Sequence, residues 1–144
     1  MKRLRVLLAE DNRRIAEILE ALLRAEFELV GTVADGLAML ASAATLHPDV
    51  VVTDISMPRL DGLSALAQLK TKHPHVKVVL ISIYQDATLM ALALKEGAAG
   101  YVLKHSAAHE LVPAVRAAMN GETYASPTIR GVSRVRPGGA AQQD

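Results

Sequence analysis

The chain has 144 residues, 51% of them apolar but only 3% aromatic, so its core must be built from Leu, Val, Ile and Ala. That length favours one domain with a substantial core. A formal net charge of +1 gives no electrostatic case for nucleic acid or a membrane surface, and the lack of cysteine excludes disulfides, thiol nucleophiles and zinc–thiolate sites. A cysteine-free chain is compatible with the cytoplasm.

Lys2, Arg3 and Arg5 come before a short apolar run, Val6-Leu7-Leu8-Ala9. That run is too short for a signal-peptide core or a membrane span. Arg5 to Ala9 reads as a first strand, and Asp11 or Asn12 can cap the helix behind it. Ile15, Ile18, Leu19, Leu22, Leu23 and Phe27 recur there at helical spacing. Glu28 to Ala34 is a second strand, and Asp35-Gly36 is a turn and cap. Leu37, Leu40, Ala41 and Ala44 then make a second helix, which His47-Pro48 stops.

Asp49 to Asp54 follows as a strand whose centre is three valines, the mark of burial on both faces. Leu63, Leu66, Ala67 and Leu69 carry a third helix, closed before Pro74. Val76 to Ile81 is another apolar run, ending at Ser82. A fourth helix spans about Asp86 to Glu96, and Gly97 ends it. Gly100 to Leu103 is a short fifth strand, closing on Lys104. Ser106 can cap a fifth helix with Leu111, Val112, Val115, Ala118 and Met119 inward. Pro113 lies within that helix and should remove the bond to the His109 carbonyl. From about Ser126 the pattern fails, and the breaker-rich residues 125–144 read as a flexible extension. Arg130, Arg134 and Arg136 make that extension mildly basic.

Strand and helix alternate five times with short connections. That order predicts an α/β fold, a parallel sheet with helices on both faces. In such sheets ligands bind at the carboxyl ends of the strands. The residues that end the strands are Glu10-Asp11, Asp54, Ser82 and Lys104. Carboxylates gathered there repel unless a cation sits among them, and a hard cation with oxygen ligands, Mg²⁺ above all, suits them. With a lysine and a hydroxyl, such a site cradles a phosphoryl group, and Asp54 can serve as its nucleophile. Each residue alone has a plainer reading. Glu10 and Asp11 suit a helix start, Asp54 a turn cap, Lys104 a solvated surface and Tyr101 strand packing. Their coincidence at the ends of different strands favours a joint site. Of the five histidines, only His105 and His109 have i, i+4 spacing, and solvation or helix capping explains that pair better than metal binding.

Glu10-Asp11, Asp54 within Asp-Ile-Ser-Met-Pro, Asp61-Gly62, Ser82, Gly97-Ala98, Gly100-Tyr101 and Lys104 stand in an order that resembles the receiver domain of response regulators. The likeness covers roughly residues 3 to 124, so 1–124 is taken as the domain. It implies a flavodoxin-like, doubly wound, five-stranded parallel sheet of order 2-1-3-4-5. It implies that Glu10, Asp11, Asp54 and the backbone carbonyl of Ser56 surround Mg²⁺, and that Asp54 accepts phosphate from a sensor histidine kinase. Lys104 and Ser82 would contact the phosphoryl group. Ser82 would move toward it and Tyr101 would follow inward, remodelling the surface of the fourth helix, fifth strand and fifth helix. Gly-Tyr-Val-Leu-Lys, Asn120-Gly121-Glu122 and Ser126-Pro127 resemble the NarL/FixJ-type subfamily, whose members usually carry a helix-turn-helix domain after a linker. No second helical pattern follows here, so a stand-alone receiver and part of a longer regulator both fit. Direct DNA binding by this chain is not expected.

Three positions depart from the family's usual residues. Ile83 and Tyr84 follow the switch hydroxyl and are expected to narrow access to Asp54, slowing water and small phosphodonors. His105 stands where many receivers have proline, and a cis peptide there would cost about 3 kcal/mol. The run Leu89 to Leu94 lacks a polar side, which suggests a face covered by an output protein or a second copy. Other classes fit less well. An aspartate-nucleophile phosphohydrolase needs a second acid two residues on, where Ser56 stands. A nucleotide-binding module needs a glycine-rich turn after the first strand, and Ala9-Glu10-Asp11-Asn12 has none. A phosphate-independent interaction domain would not need the intact acidic set.

Overall fold

Alternation of strand and helix carries through the computed structural model, which describes residues 3–127 and 129. The elements are β1 (Arg5–Ala9), α1 (Arg13–Glu26), β2 (Glu28–Val33), α2 (Gly36–Leu46), β3 (Val50–Asp54), α3 (Gly62–Lys72), β4 (Lys77–Ser82), α4 (Ala87–Lys95), β5 (Gly100–Leu103), α5 (Ala107–Met119) and β6 (Tyr124–Ala125). The strands form one parallel sheet in the order β2-β1-β3-β4-β5-β6. The predicted order of five strands is therefore present, with a sixth added outside β5. Two residues are too few to show a period, so β6 left no signature in the sequence.

Side chains alternate across the sheet. Val6, Leu8, Val50, Val52, Val79 and Ile81 pack on one face with Leu19 and Leu23 of α1 and Leu111 and Val115 of α5. Leu7, Val51, Leu80 and Tyr101 pack on the other with residues of α2, α3 and α4. Burial on both faces explains the near-continuous valine of β3.

The helix expected after Asp35-Gly36 is present as α2, but its inner face is not the set of apolar residues that marks it in the sequence. Met39 and Ala43 are buried, whereas Leu37 is 47% exposed and Ala41 and Ala44 face solvent. Nearly every position of this helix is apolar, so no polar side marks its outer face. Ile18, on α1, is likewise 58% exposed. Met39→Ala should cost about 3 kcal/mol in urea denaturation. Leu37→Ala should stay within about 0.5 kcal/mol of the parent. The reverse ranking would place Leu37, not Met39, on the inner face.

The start of α5 also differs. Ser106 makes no capping bond, and residues Lys104–Ser106 form a 3-10 turn that runs into the helix. The Lys104–His105 peptide is trans. Pro113 stands inside α5 on its exposed side, as does His109, so water can reach the carbonyl that proline leaves without its helical bond.

The packed fold runs further along the chain than the sequence pattern indicates. Ala125, Ser126 and Ile129 are buried. Arg130, Arg134 and Arg136 lie outside the described residues.

Candidate functional site at the carboxyl edge of the sheet

β1 delivers Glu10 and Asp11 to the carboxyl edge. The Glu10 N–H donates to the Val33 carbonyl at 2.9 Å, and the Asn12 side chain caps α1 by accepting from Ile15 N–H. Beside them β3 ends on Asp54. Carboxylate oxygens of Glu10, Asp11 and Asp54 all lie within 4.8 Å of one another. Glu10 and Asp54 are buried, at 3% and 5% exposure, while Asp11 is exposed.

Lys104, just past β5, reaches back across the sheet edge. Its Nζ donates to Asp54 Oδ2 at 2.8 Å and lies 2.9 Å from Glu10 Oε1. The second contact is an ion pair without hydrogen-bond alignment, so buried Glu10 Oε1 has no aligned donor. Glu10 Oε2 accepts the Asn12 N–H, and Asp54 Oδ1 accepts the Ser56 N–H at 3.1 Å. Burial pushes the Glu10 carboxyl above its ordinary range, aided by the Asp54 charge, against the pull of the Asn12 N–H and the Lys104 ammonium. Burial alone would lower Lys104, but its two carboxylate partners outweigh this and its pKa is raised.

Ser82 ends β4, one residue beyond Ile81, which pairs with Asp54. It is fully buried, and its Oγ accepts the Tyr84 N–H at 2.9 Å. Tyr101 is also fully buried. Its hydroxyl donates to the Tyr84 carbonyl at 2.9 Å. Burial raises the Tyr101 pKa. Both switch candidates thus hold the backbone of one loop residue, Tyr84. Sequence reading assigned Tyr84 a covering side chain and missed this, because a backbone group carries no residue-type signal. The side chains of Ile83 and Tyr84 are 65% and 47% exposed on that loop. His105 and His109 join no group of metal-binding side chains among the described residues.

Two glycines hold the loop between β3 and α3. A Cβ on Gly62 would meet the Asp54 carbonyl oxygen at 2.2 Å, and one on Gly36 would meet the Leu60 carbonyl oxygen at 2.1 Å. Asp61 caps α3 by accepting from Ser64 N–H. Arg59 turns the loop at a positive φ of 72° and faces Asp35 at 3.6 Å.

A doubly wound parallel sheet carrying an acidic trio and a bridging lysine at its carboxyl edge defines a receiver-type signalling domain. Residues 6–116 match the response regulator receiver domain family, and the chain belongs to it. It is 32% identical over 128 residues to the transcriptional regulatory protein LnrK of Bacillus subtilis, covering 88% of this chain and 58% of LnrK. It is 30% identical over 129 residues to the oxygen regulatory protein NreC of Staphylococcus carnosus, covering 88% and 59%. The chain thus spans somewhat over half the length of these curated relatives. Among solved structures it is similar to the signal receiver domain of NarL from Mycobacterium tuberculosis, with 31% identity and a TM-score of 0.80 over 85% of this chain and 100% of that one. It is also similar to the response regulator domain of Thermotoga maritima CheB, with 30% identity and a TM-score of 0.77 over 83% and 98%. The homologues are of the NarL/LuxR/FixJ type, and those among the curated relatives are transcriptional regulators. No helix among the described residues is long and apolar enough to cross a membrane.

Proposed function

We propose that the chain is a phosphorylation-controlled switch in which Asp54 accepts a phosphoryl group from the phosphohistidine of a sensor kinase. An Asp54 carboxylate oxygen attacks phosphorus, the P–N bond breaks, and the kinase imidazole leaves with the electron pair. The observation that carries this reading is the Lys104 bridge. A nearly buried ammonium spans Asp54 and Glu10, poised to follow charge onto a phosphoryl oxygen.

The donor set fits Mg²⁺: three clustered carboxylates, hard oxygen atoms, and a buried Glu10 oxygen without an aligned hydrogen bond. Glu10, Asp11, Asp54 and, by family resemblance, the Ser56 carbonyl would hold it. When bound, the metal supplies neutralising charge for the transferring oxygens. Ser82 donates its hydroxyl to the phosphoryl group and gives up the Tyr84 N–H. That release frees the loop before α4, with Tyr101 following Tyr84 through its own bond. The surface of α4, β5 and α5 then changes for an output protein or a second copy. Met90 of α4 is buried but Leu92 is 43% exposed, which leaves Leu92 as the outward apolar contact. Output is transcriptional, through a helix-turn-helix domain in a longer chain or through a protein partner, in the cytoplasm. The chain performs no chemistry beyond gaining and losing its own phosphoryl group.

Mass spectrometry of the chain with acetyl phosphate tests this. A Mg²⁺-dependent phosphate adduct is expected, and it should vanish in Asp54→Ala. An adduct from a phosphorylated kinase but not from acetyl phosphate would place the limit at Ile83 and Tyr84. No adduct from either donor would leave a phosphate-independent interaction domain.

A further inference from the structure

Five polar or charged side chains are buried among the described residues: Glu10, Thr53, Asp54, Ser82 and Ser126. Glu10, Asp54 and Ser82 form the site above. The Thr53 hydroxyl donates to the neighbouring Asp54 carbonyl. Ser126 remains, fully buried beyond β6 at the far edge of the sheet. A buried hydroxyl persists where it satisfies a group that would otherwise be stranded.

That group is a backbone amide of β5. Tyr124 and Ala125 pair with Gly100 and Tyr101, and Ser126 N–H donates to the Tyr101 carbonyl at 3.0 Å. There β6 stops, while β5 runs on to Leu103. The Leu103 N–H points to the same side of the strand as the Tyr101 carbonyl and finds no further strand residue. Ser126 Oγ accepts it at 2.9 Å and donates its own proton to Glu110 Oε1 at 2.5 Å. One hydroxyl thus ties the end of β5 to the first turns of α5. Ile129, one turn further on, is fully buried in the same apolar cluster as Tyr101 and Leu103. The next residue after Leu103 is Lys104, whose ammonium lies against Asp54 and Glu10.

We propose that Ser126 is a positioning residue for Lys104, and that through it the chain leaving the domain is coupled to the phosphorylation site. The proposal rests on the phosphoryl-transfer reading above. Without the hydroxyl, Leu103 N–H has no partner and the strand end loosens. The Lys104 ammonium then spends less time on the phosphoryl-accepting oxygen. Coupling is reciprocal, so a phosphoryl group at Asp54 that recruits Lys104 must alter how firmly residues 126 and 129 are held.

The test is a double-mutant cycle on the full chain, measuring the initial rate of adduct formation with acetyl phosphate and Mg²⁺. Ser126→Ala should slow it about tenfold, a change of about 1.4 kcal/mol in the barrier. In a Lys104→Ala background the same substitution should have almost no further effect, because it acts through that ammonium. Ser126→Thr, which keeps the hydroxyl, should recover most of the rate. Leu103 amide exchange should quicken in Ser126→Ala and not in Ser126→Thr, with or without a phosphodonor. Equal slowing in both backgrounds would reduce Ser126 to a structural role and overturn the proposal while leaving the switch intact. A wild-type chain that forms no adduct from acetyl phosphate or from a kinase would overturn the switch and this coupling together.

Discussion

Lys104→Met is expected to destabilise the metal-free protein by about 3 kcal/mol, the low end for breaking a buried ion pair. The reasons lie in what the ammonium leaves behind. Glu10 and Asp54 are almost fully buried, and Lys104 is the cation within 3 Å of both. The lysine side chain is itself 14% exposed, so water reaches the site and tempers the loss. Saturating Mg²⁺ should restore most of the stability, since a bound ligand stabilises the state that binds it. With the competing ammonium gone, Mg²⁺ affinity should rise about tenfold, because one fewer positive charge opposes the ion. Phosphorylation should nevertheless fall, as the group that follows charge onto the phosphoryl oxygen is missing. Urea denaturation with chelator and with Mg²⁺ reads the first two effects. Stability that does not respond to Mg²⁺ would argue against the acidic trio as its site.

Gly62→Ala should also cost about 3 kcal/mol or more, by overpacking. An alanine Cβ would sit 2.2 Å from the Asp54 carbonyl oxygen and 2.9 Å from the Ile55 Cα. Both obstacles are backbone, so no side chain can swing aside. Either the end of β3 or the start of α3 must move, and Asp54 rides on the first of these. Adduct formation should therefore fall with stability. The propensity gain of alanine over glycine in a helix, about 1 kcal/mol, is too small to offset the clash. Gly121→Ala is the comparison. Its Cβ would meet nothing within 4 Å, and only its φ of 79° opposes the change. It should cost about 1 kcal/mol and leave phosphorylation unaltered. A Gly62→Ala protein as stable as the parent would refute the close approach.

Much of the molecule was legible before folding. Three consecutive valines in β3 needed burial on both faces, which only a sheet between two helix layers provides. Helix capping was readable in part: Asn12 and Asp35, cap candidates by residue type, each accept a backbone N–H at a helix start, and Asp61 and Asp86 do the same only on the structure's showing. Glu10, Asp11, Asp54, Ser82 and Lys104 could be placed on one edge because parallel strands share a direction, so their carboxyl ends share a side. The inner face of α2 was not legible, since a helix apolar all round presents several equivalent faces and only its neighbours select one. Nor was the Ser106 expectation met, because the chain enters α5 through a 3-10 turn.

What the sequence determined by itself is the alternation of elements and the types of residue at each strand end, both encoded in local spacing. Besides the face of α2, tertiary structure decided three things. It set the bridge from Lys104 to Asp54, 50 positions away in the chain, and to the still more distant Glu10. It set Gly36 and Gly62 against carbonyl oxygens of the β3–α3 segment, where the demand for glycine comes from close approach rather than from a turn. And it folded Ser126 under the edge of β5, because an amide with no strand beside it needs an acceptor, and which residue supplies one depends on where the chain returns.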